Sequence, residues 1–195
     1  MNAPGLRERK KQKTRWAIQE HALRLFAEQG YDATTVEQIA AAAEISPSTF
    51  FRYFKTKEDV VVEDEYDPIM AAALAAAPAD LAPLSAIRHA LRAALGAVGP
   101  ADRQKIIERG RLMLSVPALR SRTLDNLVAT IDVIAGPLAA RTGRDPHDFA
   151  VRAFAGACIG ALIAAILEWV DGDGERDLSE LVDAALGALE NGLES

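Results

Sequence analysis

The sequence predicts an all-α protein, on three observations. Apolar residues recur at helical spacing along almost the whole chain, and no run alternates with period two between turn signals. The 195 residues are 50% hydrophobic and 26% charged but only 6% aromatic, with alanine-rich runs making up the difference, a balance that favours helices over sheets. Capping and breaking residues fall between the periodic segments. The length suits one large domain or two small ones and excludes a disulfide-stapled mini-protein or a large multidomain enzyme.

About nine helices follow in order. Thr14 can cap a first one over roughly 15–29, with Ile18, Ala22, Leu25 and Phe26 on one face and Gly30 where a left-handed terminal residue is wanted. Thr35-Val-Glu-Gln38 reads as a capping box that opens a short helix through Val36, Ile39 and Ala40 to about Ala43. After a turn at Glu44 and Ile45, Ser46 and Pro47 supply an N-cap and a first-position proline for a third helix ending near Phe54. Thr56 and Asp59 resemble another cap, starting a helix through Val60, Val61 and Val62 toward Met70 that Pro68 should kink or interrupt. The alanine-rich stretch at 71–79 is helix-compatible, and proline and alanine dominate 76–83. Further helices are expected at about 84–97, 101–115, 118–141, 147–170 and 178–192, separated by Gly99-Pro100, Pro117, Arg144-Asp145-Pro146 and Asp171 to Gly174, with Gly136-Pro137 bending the third.

Charge divides the chain. The net −6 combines +2 over residues 1–60 with −8 over residues 61–195, so the positive charge belongs to the N-terminal third. There, Arg7, Arg9, Lys10, Lys11, Lys13 and Arg15 place six cations in nine positions, opposed only by Glu8. Such a run is either a solvated tail or an arm for an anionic partner. Glu63, Asp64, Glu65 and Asp67 read as a solvated helix face. One cysteine, Cys158, cannot form an intramolecular disulfide, and no apolar stretch follows the N-terminal charges, so a cytoplasmic location is expected. Ala153 to Leu167 is apolar enough to raise the question of a membrane, but Arg152 and Glu168 bracket it too tightly for the ~20 residues a span needs. It reads as a buried helix, and no membrane partner is expected.

Two short helices joined by a tight turn match what a helix-turn-helix needs to enter a major groove. Ser46, Pro47, Ser48 and Thr49 are short enough to reach base edges, and Thr49 can offer its methyl to a thymine. Arg52, Tyr53, Lys55 and Lys57 supply donors at heights suited to phosphates, and the amides at Thr35 to Glu37 can serve another.

The stretch from about Lys13 to Val62 resembles the DNA-binding domain of the tetracycline-repressor (TetR) family. The resemblance rests on Leu25-Phe26-Ala27-Glu28-Gln29-Gly30-Tyr31, on Ala33-Thr34-Thr35-Val36-Glu37-Gln38-Ile39-Ala40, and on Ser46 to Lys57 with Phe54, Lys57 and Glu58 in their expected places. It implies that Thr35, Tyr53 and Lys57 contact phosphates, that Ser48, Thr49 and Arg52 read bases, and that Ile39, Ile45, Phe50 and Phe54 form the core. It also implies that the basic tail, with Arg9, Lys10 and Lys13, lies along the backbone or in a minor groove. Residues 1–13 are then the tail, 14–57 the DNA-binding domain with its motif at about 35–54, and 58–195 an effector-binding and dimerisation domain. Two positions depart from the family pattern. Phe51 stands where a phosphate-binding Tyr is common, and Glu44 stands where the turn commonly carries Gly, at a cost of order 1 kcal/mol if the residue is left-handed.

An attached bundle of this size suggests pairing and sensing besides reading, and the resemblance implies both. The last two helices are the expected interface, with Gly156, Gly160 and Ala164 permitting close approach and Leu178, Leu181, Leu186 and Leu189 adding an apolar face. A two-fold dimer would read a palindromic operator. An effector pocket is expected between the helices at 84–97, 101–115 and 147–170, walled by Leu91, Leu95, Ile106, Met113, Phe154 and Trp169, with Arg109, His89 or Arg92 available for an acidic head. The six apolar residues also read as plain core. By resemblance, the effector acts through the helix after Lys57, and the protein is a repressor released by a largely apolar small molecule.

Catalysis has little support. His21, His89 and His147 pair with nothing at metal-ligand spacing, and neither a phosphate loop nor a nucleophile elbow is found, so no metal, cofactor or catalytic residue is expected. Cys158 reads as a small buried hydrophobe. The alternative functions are a constitutive architectural or non-specific DNA-binding dimer, disfavoured by the −8 over residues 61–195, and more distantly a membrane-associated protein.

Overall fold

The computed structural model describes residues 6–63, 67–96 and 99–192. Among these are ten helices and no strand: α1 (Leu6–Gln29), α2 (Val36–Ala42), α3 (Pro47–Tyr53), α4 (Asp59–Val62), α5 (Asp67–Ala76), α6 (Pro83–Gly96), α7 (Pro100–Ser115), α8 (Pro117–Thr142), α9 (Phe149–Asp171) and α10 (Leu178–Asn191). The protein is all-α, as expected.

Two boundaries differ from expectation. The first helix begins at Leu6 rather than after Thr14. Lysine, arginine and glutamine are good helix formers, so the basic run prolongs the helix, and the Thr14 hydroxyl donates back to the Lys10 carbonyl at 3.0 Å. The helix expected from Asp59 toward Met70 is two helices. Val62 ends α4 and Glu63 turns extended, while Pro68 falls in the first turn of α5, where its missing N–H is harmless. The acidic face expected there includes Asp64 and Glu65, which lie outside the described residues.

The chain forms two compact units. The first contains the residues up to Glu63 together with Arg111–Thr123. Its core gathers Ile18, Phe26, Ile39, Phe50, Phe54, Val60 and Val61 with Leu119 from α8, and Leu112, Met113 and Val116 pack against it. Ring contacts tie Phe26 to Tyr31 and Phe50 to Phe54, at centroid distances of 5.0 and 5.9 Å. Gln19, buried on α1, donates to the Val60 and Glu63 carbonyls at 3.2 and 3.1 Å, satisfying the end of a helix too short to satisfy itself.

The second unit holds 64–110 and 124–195. Here α5 packs on α6, and α10 packs on both α6 and α9. Leu74, Leu138, Leu186 and Trp169 are fully buried, and the Trp169 indole N–H donates to the Arg176 carbonyl at 2.9 Å. α9 is long and apolar enough to cross a membrane by length and composition. Its Val151, Ala155, Cys158, Ile159, Ala165, Trp169 and Val170 are nevertheless buried in the unit's own core. At its end Asp173 takes φ +53° and Gly174 φ +74°. A side chain at Gly174 would begin 2.8 Å from Ile107 and 3.4 Å from Trp169, so both backbone and space demand glycine.

No glycine closes α5. Instead the Arg141 guanidinium, reaching from α8, donates to the carbonyls of Ala77 and Pro78 at 2.8 and 2.7 Å and of Leu81 and Leu74 at 3.3 and 3.5 Å. One planar fork thus satisfies the orphaned end of a helix and the turn beyond it.

Candidate functional site

The helix-turn-helix is built from its caps. Thr35 accepts from the Gln38 amide at 3.2 Å, while the Gln38 side chain accepts from the Thr35 amide at 2.8 Å, the reciprocal box expected at the start of α2. Ser46 accepts from the Thr49 amide at 3.1 Å, and Pro47 occupies the first turn of α3. Between them Glu44 sits at φ +54°, its amide bonded to the Ala41 carbonyl at 3.1 Å and the Ile45 amide to Ala40 at 2.9 Å. That paired closure normally recruits glycine, so this non-glycine residue carries strain of about 1 kcal/mol.

Orientation follows from which side of α3 is buried. Phe50 and the capping Phe54 face the core, Tyr53 is half-buried, and Pro47, Ser48, Phe51 and Arg52 are exposed. Thr49 is half-buried, and its hydroxyl lies 2.9 Å from that of Ser46, which is also 2.9 Å from Ser48. The Arg52 guanidinium lies 5.7 Å from the Tyr53 ring, and Lys55 is exposed just beyond the helix.

Lys57 has a different setting from the one expected. Its ammonium donates to the carbonyls of Tyr31 and Thr34 at 2.8 and 3.0 Å and sits 4.1 Å from the Tyr31 ring, so two of its three donors tie down the turn between α1 and α2. The Tyr31 hydroxyl in turn donates to Glu58 at 2.8 Å. Burial first, then the bond to Glu58, raises the Tyr31 pKa well above the ordinary phenol value. Burial also pushes Glu58 upward, but the Tyr31 hydroxyl, the backbone and Thr56, with Lys57 nearby, outweigh it and hold the carboxyl below its usual range. The sequence pattern named Lys57 and Glu58 but could not reveal that they grip Tyr31.

Of the expected arm, Lys10 and Lys13 are exposed on α1, while the side chain of Arg9 lies outside the described residues. Arg15 turns inward, 4.5 Å from the Phe54 ring and paired with Glu63.

The second unit contains a cavity of about 100 Å³. Leu91, Leu95, Ile106 and Arg109 line it as expected, but three other candidates are corrected. Met113 packs against the core of the first unit, Trp169 is fully buried against the backbone of Arg176, and Phe154 lies partly buried outside the lining. Their places are taken by Met70 and Leu74 of α5, Thr130 and Ile134 of α8, and Cys158, Ile159 and Leu162 of α9. The latter three share a helical face, a periodicity visible in the sequence; aromatic size was the poorer guide. Arg109 and Thr130 are polar members of an otherwise largely apolar wall that also holds the Cys158 thiol. His89 and Arg92 are exposed and outside the lining, and Arg92 is paired with Asp183.

The expected interface residues divide as well. Leu178, Leu181 and Leu186 are buried within the subunit, because the apolar side of α10 is already used against α9 and α6. Gly156 faces Ile131 of the same chain, where a Cβ would lie 3.4 Å from its Cδ1. Gly160, Ala164 and Leu189 remain exposed, with nothing within 4 Å of where a Gly160 side chain would start.

Comparison with known proteins covers both units. Residues 18–63 match the family model described as bacterial regulatory proteins, tetR family, and residues 81–194 match that of the MftR C-terminal domain. The HTH-type transcriptional regulator TcmR of Streptomyces glaucescens is 39% identical over 160 residues, covering 75% of this chain and 68% of that protein. MftR of Mycobacterium tuberculosis, named as a transcriptional regulator, is 31% identical over 183 residues, covering 92% of this chain and 89% of its own. Among solved structures, FadR of Thermus thermophilus, a TetR-family repressor in complex with lauroyl-CoA, shares the fold with a TM-score of 0.58 at 24% identity, covering 93% of this chain and 95% of its own.

Proposed function

The chain belongs to the TetR family of transcriptional regulators, and from that premise we propose that it is a homodimeric repressor, cytoplasmic, released from a palindromic operator by a largely apolar small molecule. The observation that carries the DNA-reading part is α3 itself, a helix fixed at its start by Ser46 and Pro47 that buries Phe50 and turns Pro47, Ser48 and Arg52 outward. Ser48 and Arg52 are base readers, with Thr49 contributing from the half-buried flank. Thr35, Tyr53, Lys55, Lys10 and Lys13 hold phosphates. Lys57 instead directs its donors to the carbonyls of Tyr31 and Thr34.

The cavity supports the sensing role. Its largely apolar wall suits a hydrocarbon chain, and Arg109 suits an acidic or phosphorylated head, the chemistry of the lauroyl-CoA bound by the Thermus relative. Such a ligand moves the protein between states only by its differential affinity for them, typically 1–3 kcal/mol. Gly160, Ala164 and Leu189 are the contact points for a second copy, on faces of α9 and α10 that the subunit does not cover.

Selection of sites from random duplex DNA by the purified full-length protein tests the reading. Convergence on an inverted repeat supports a two-fold, sequence-specific regulator. Recovery without convergence at physiological salt returns the protein to the architectural alternative.

A further inference from the structure

We propose that Phe51 is a specificity-determining residue that packs its ring against the C5-methyl of a thymine in the major groove. The inference rests on the DNA-binding reading above and assigns to Phe51 a contact of its own. On the seven-residue helix α3, Phe51 follows Pro47 by four positions and Ser48 by three, so it shares their outward stripe. It is more than half exposed, whereas Phe50 and Phe54 beside it are buried.

The ring is 52% exposed yet not loose. It stands edge to face against Phe50, with centroids 5.4 Å apart and planes at 86°, so a fully buried ring holds an exposed one in a set direction. The neighbouring polar groups are more engaged. The hydroxyls of Ser46, Ser48 and Thr49 lie within hydrogen-bond distance of one another, and the Arg52 guanidinium leans toward Tyr53. Phe51 is therefore the large apolar surface that α3 turns outward.

A phenyl ring carries neither donor nor acceptor, so it cannot hold a phosphate. Against the polar edge of guanine, cytosine or adenine it would strip water and return no hydrogen bond. In the major groove the thymine methyl is the feature that gains from such a contact. The ring consequently favours thymine at one position of the site and disfavours the other bases there.

The test uses the duplex recovered by random selection, with each thymine replaced in turn by deoxyuridine, which lacks only the methyl. The full-length protein and its Phe51→Ala and Phe51→Tyr variants are titrated by fluorescence anisotropy, with circular dichroism checking that each is folded. One replacement is expected to weaken the unaltered protein about fourfold, the worth of burying a single methyl. The same replacement should leave Phe51→Ala unaffected, while Phe51→Tyr, which retains the ring, should keep the dependence. Equal weakening of the unaltered protein and Phe51→Ala at every thymine, or no weakening anywhere, overturns the proposal while leaving the DNA-binding reading intact. If no duplex is recovered before any thymine is changed, that reading fails and this one with it.

Discussion

The two units of this chain solve the problem of helix stability in opposite ways. In the first, three of the four helices wholly inside it have seven residues or fewer, below the length at which a helix sustains itself in water. They are held by a reciprocal cap at Thr35 and an N-cap at Ser46, by Thr56 and Asp59 exchanging bonds at 3.0 and 3.2 Å, and by a core of interlocked aromatic rings. The second relies on long helices and an aliphatic core, and it leaves a cavity where a close-packed interior would have none. A surface that must match the spacing of base edges needs a single geometry. The proposed sensing role would need unfilled space, and the second unit retains it.

Six substitutions sharpen or break that contrast. The largest effects come from the buried rings. Phe50→Ala and Trp169→Ala should each cost about 3–5 kcal/mol in urea unfolding, the first abolishing duplex binding and the second also losing the indole bond to Arg176. If both proved mild, the two cores would be looser than their burial implies. Lys57→Met should cost about 1–3 kcal/mol by freeing two carbonyls and an aromatic face, with the salt dependence of duplex binding unchanged. A salt slope lower by about 0.9 would instead identify Lys57 as a phosphate contact. Gly174→Ala should cost about 1–2 kcal/mol through its left-handed backbone and the nearby Ile107 side chain, seen as a fall in midpoint at constant m-value.

Glu44→Gly should act the other way, raising stability by about 1 kcal/mol because the turn already holds the conformation glycine prefers. No gain in denaturant midpoint would mean that Glu44 makes a compensating interaction. The smallest effect concerns acid. Since the folded state lowers the Glu58 pKa, its contribution is complete above the ordinary carboxylate value near 4.5 and is lost as pH falls through the lower folded value. Glu58→Gln should therefore flatten the acid limb of melting temperature against pH, and an unaltered limb would show that Tyr31 and Glu58 do not couple to folding.

Much of the reading motif was legible in the sequence because its signals are local. A Thr three residues before Gln, a Ser before Pro, and a non-glycine residue in a tight turn each specify geometry within a few positions, and Thr35, Ser46 and Glu44 adopt it. What escaped depends on distant partners. An apolar stripe says that it will be covered but not by what, so Leu178, Leu181 and Leu186 suited a subunit interface as well as they suit the internal seam they occupy. Met113 has the composition of a cavity wall yet packs into the other unit's core. Arg141 lies more than sixty positions from the carbonyls it binds at Ala77 and Pro78, and no spacing rule links them. The start of the first helix was misjudged for another reason: charge suggested a tail, while the same lysines and arginines have high helix propensity.

Cys158 gives the cavity a chemical clock. It is the chain's single cysteine, it lines the chamber, and burial pushes its thiol up to about 11. Burial disfavours the thiolate, so alkylation waits on openings that admit both water and reagent. The labelling rate thus counts those openings, and a molecule occupying the chamber will slow it, with no engineered probe required.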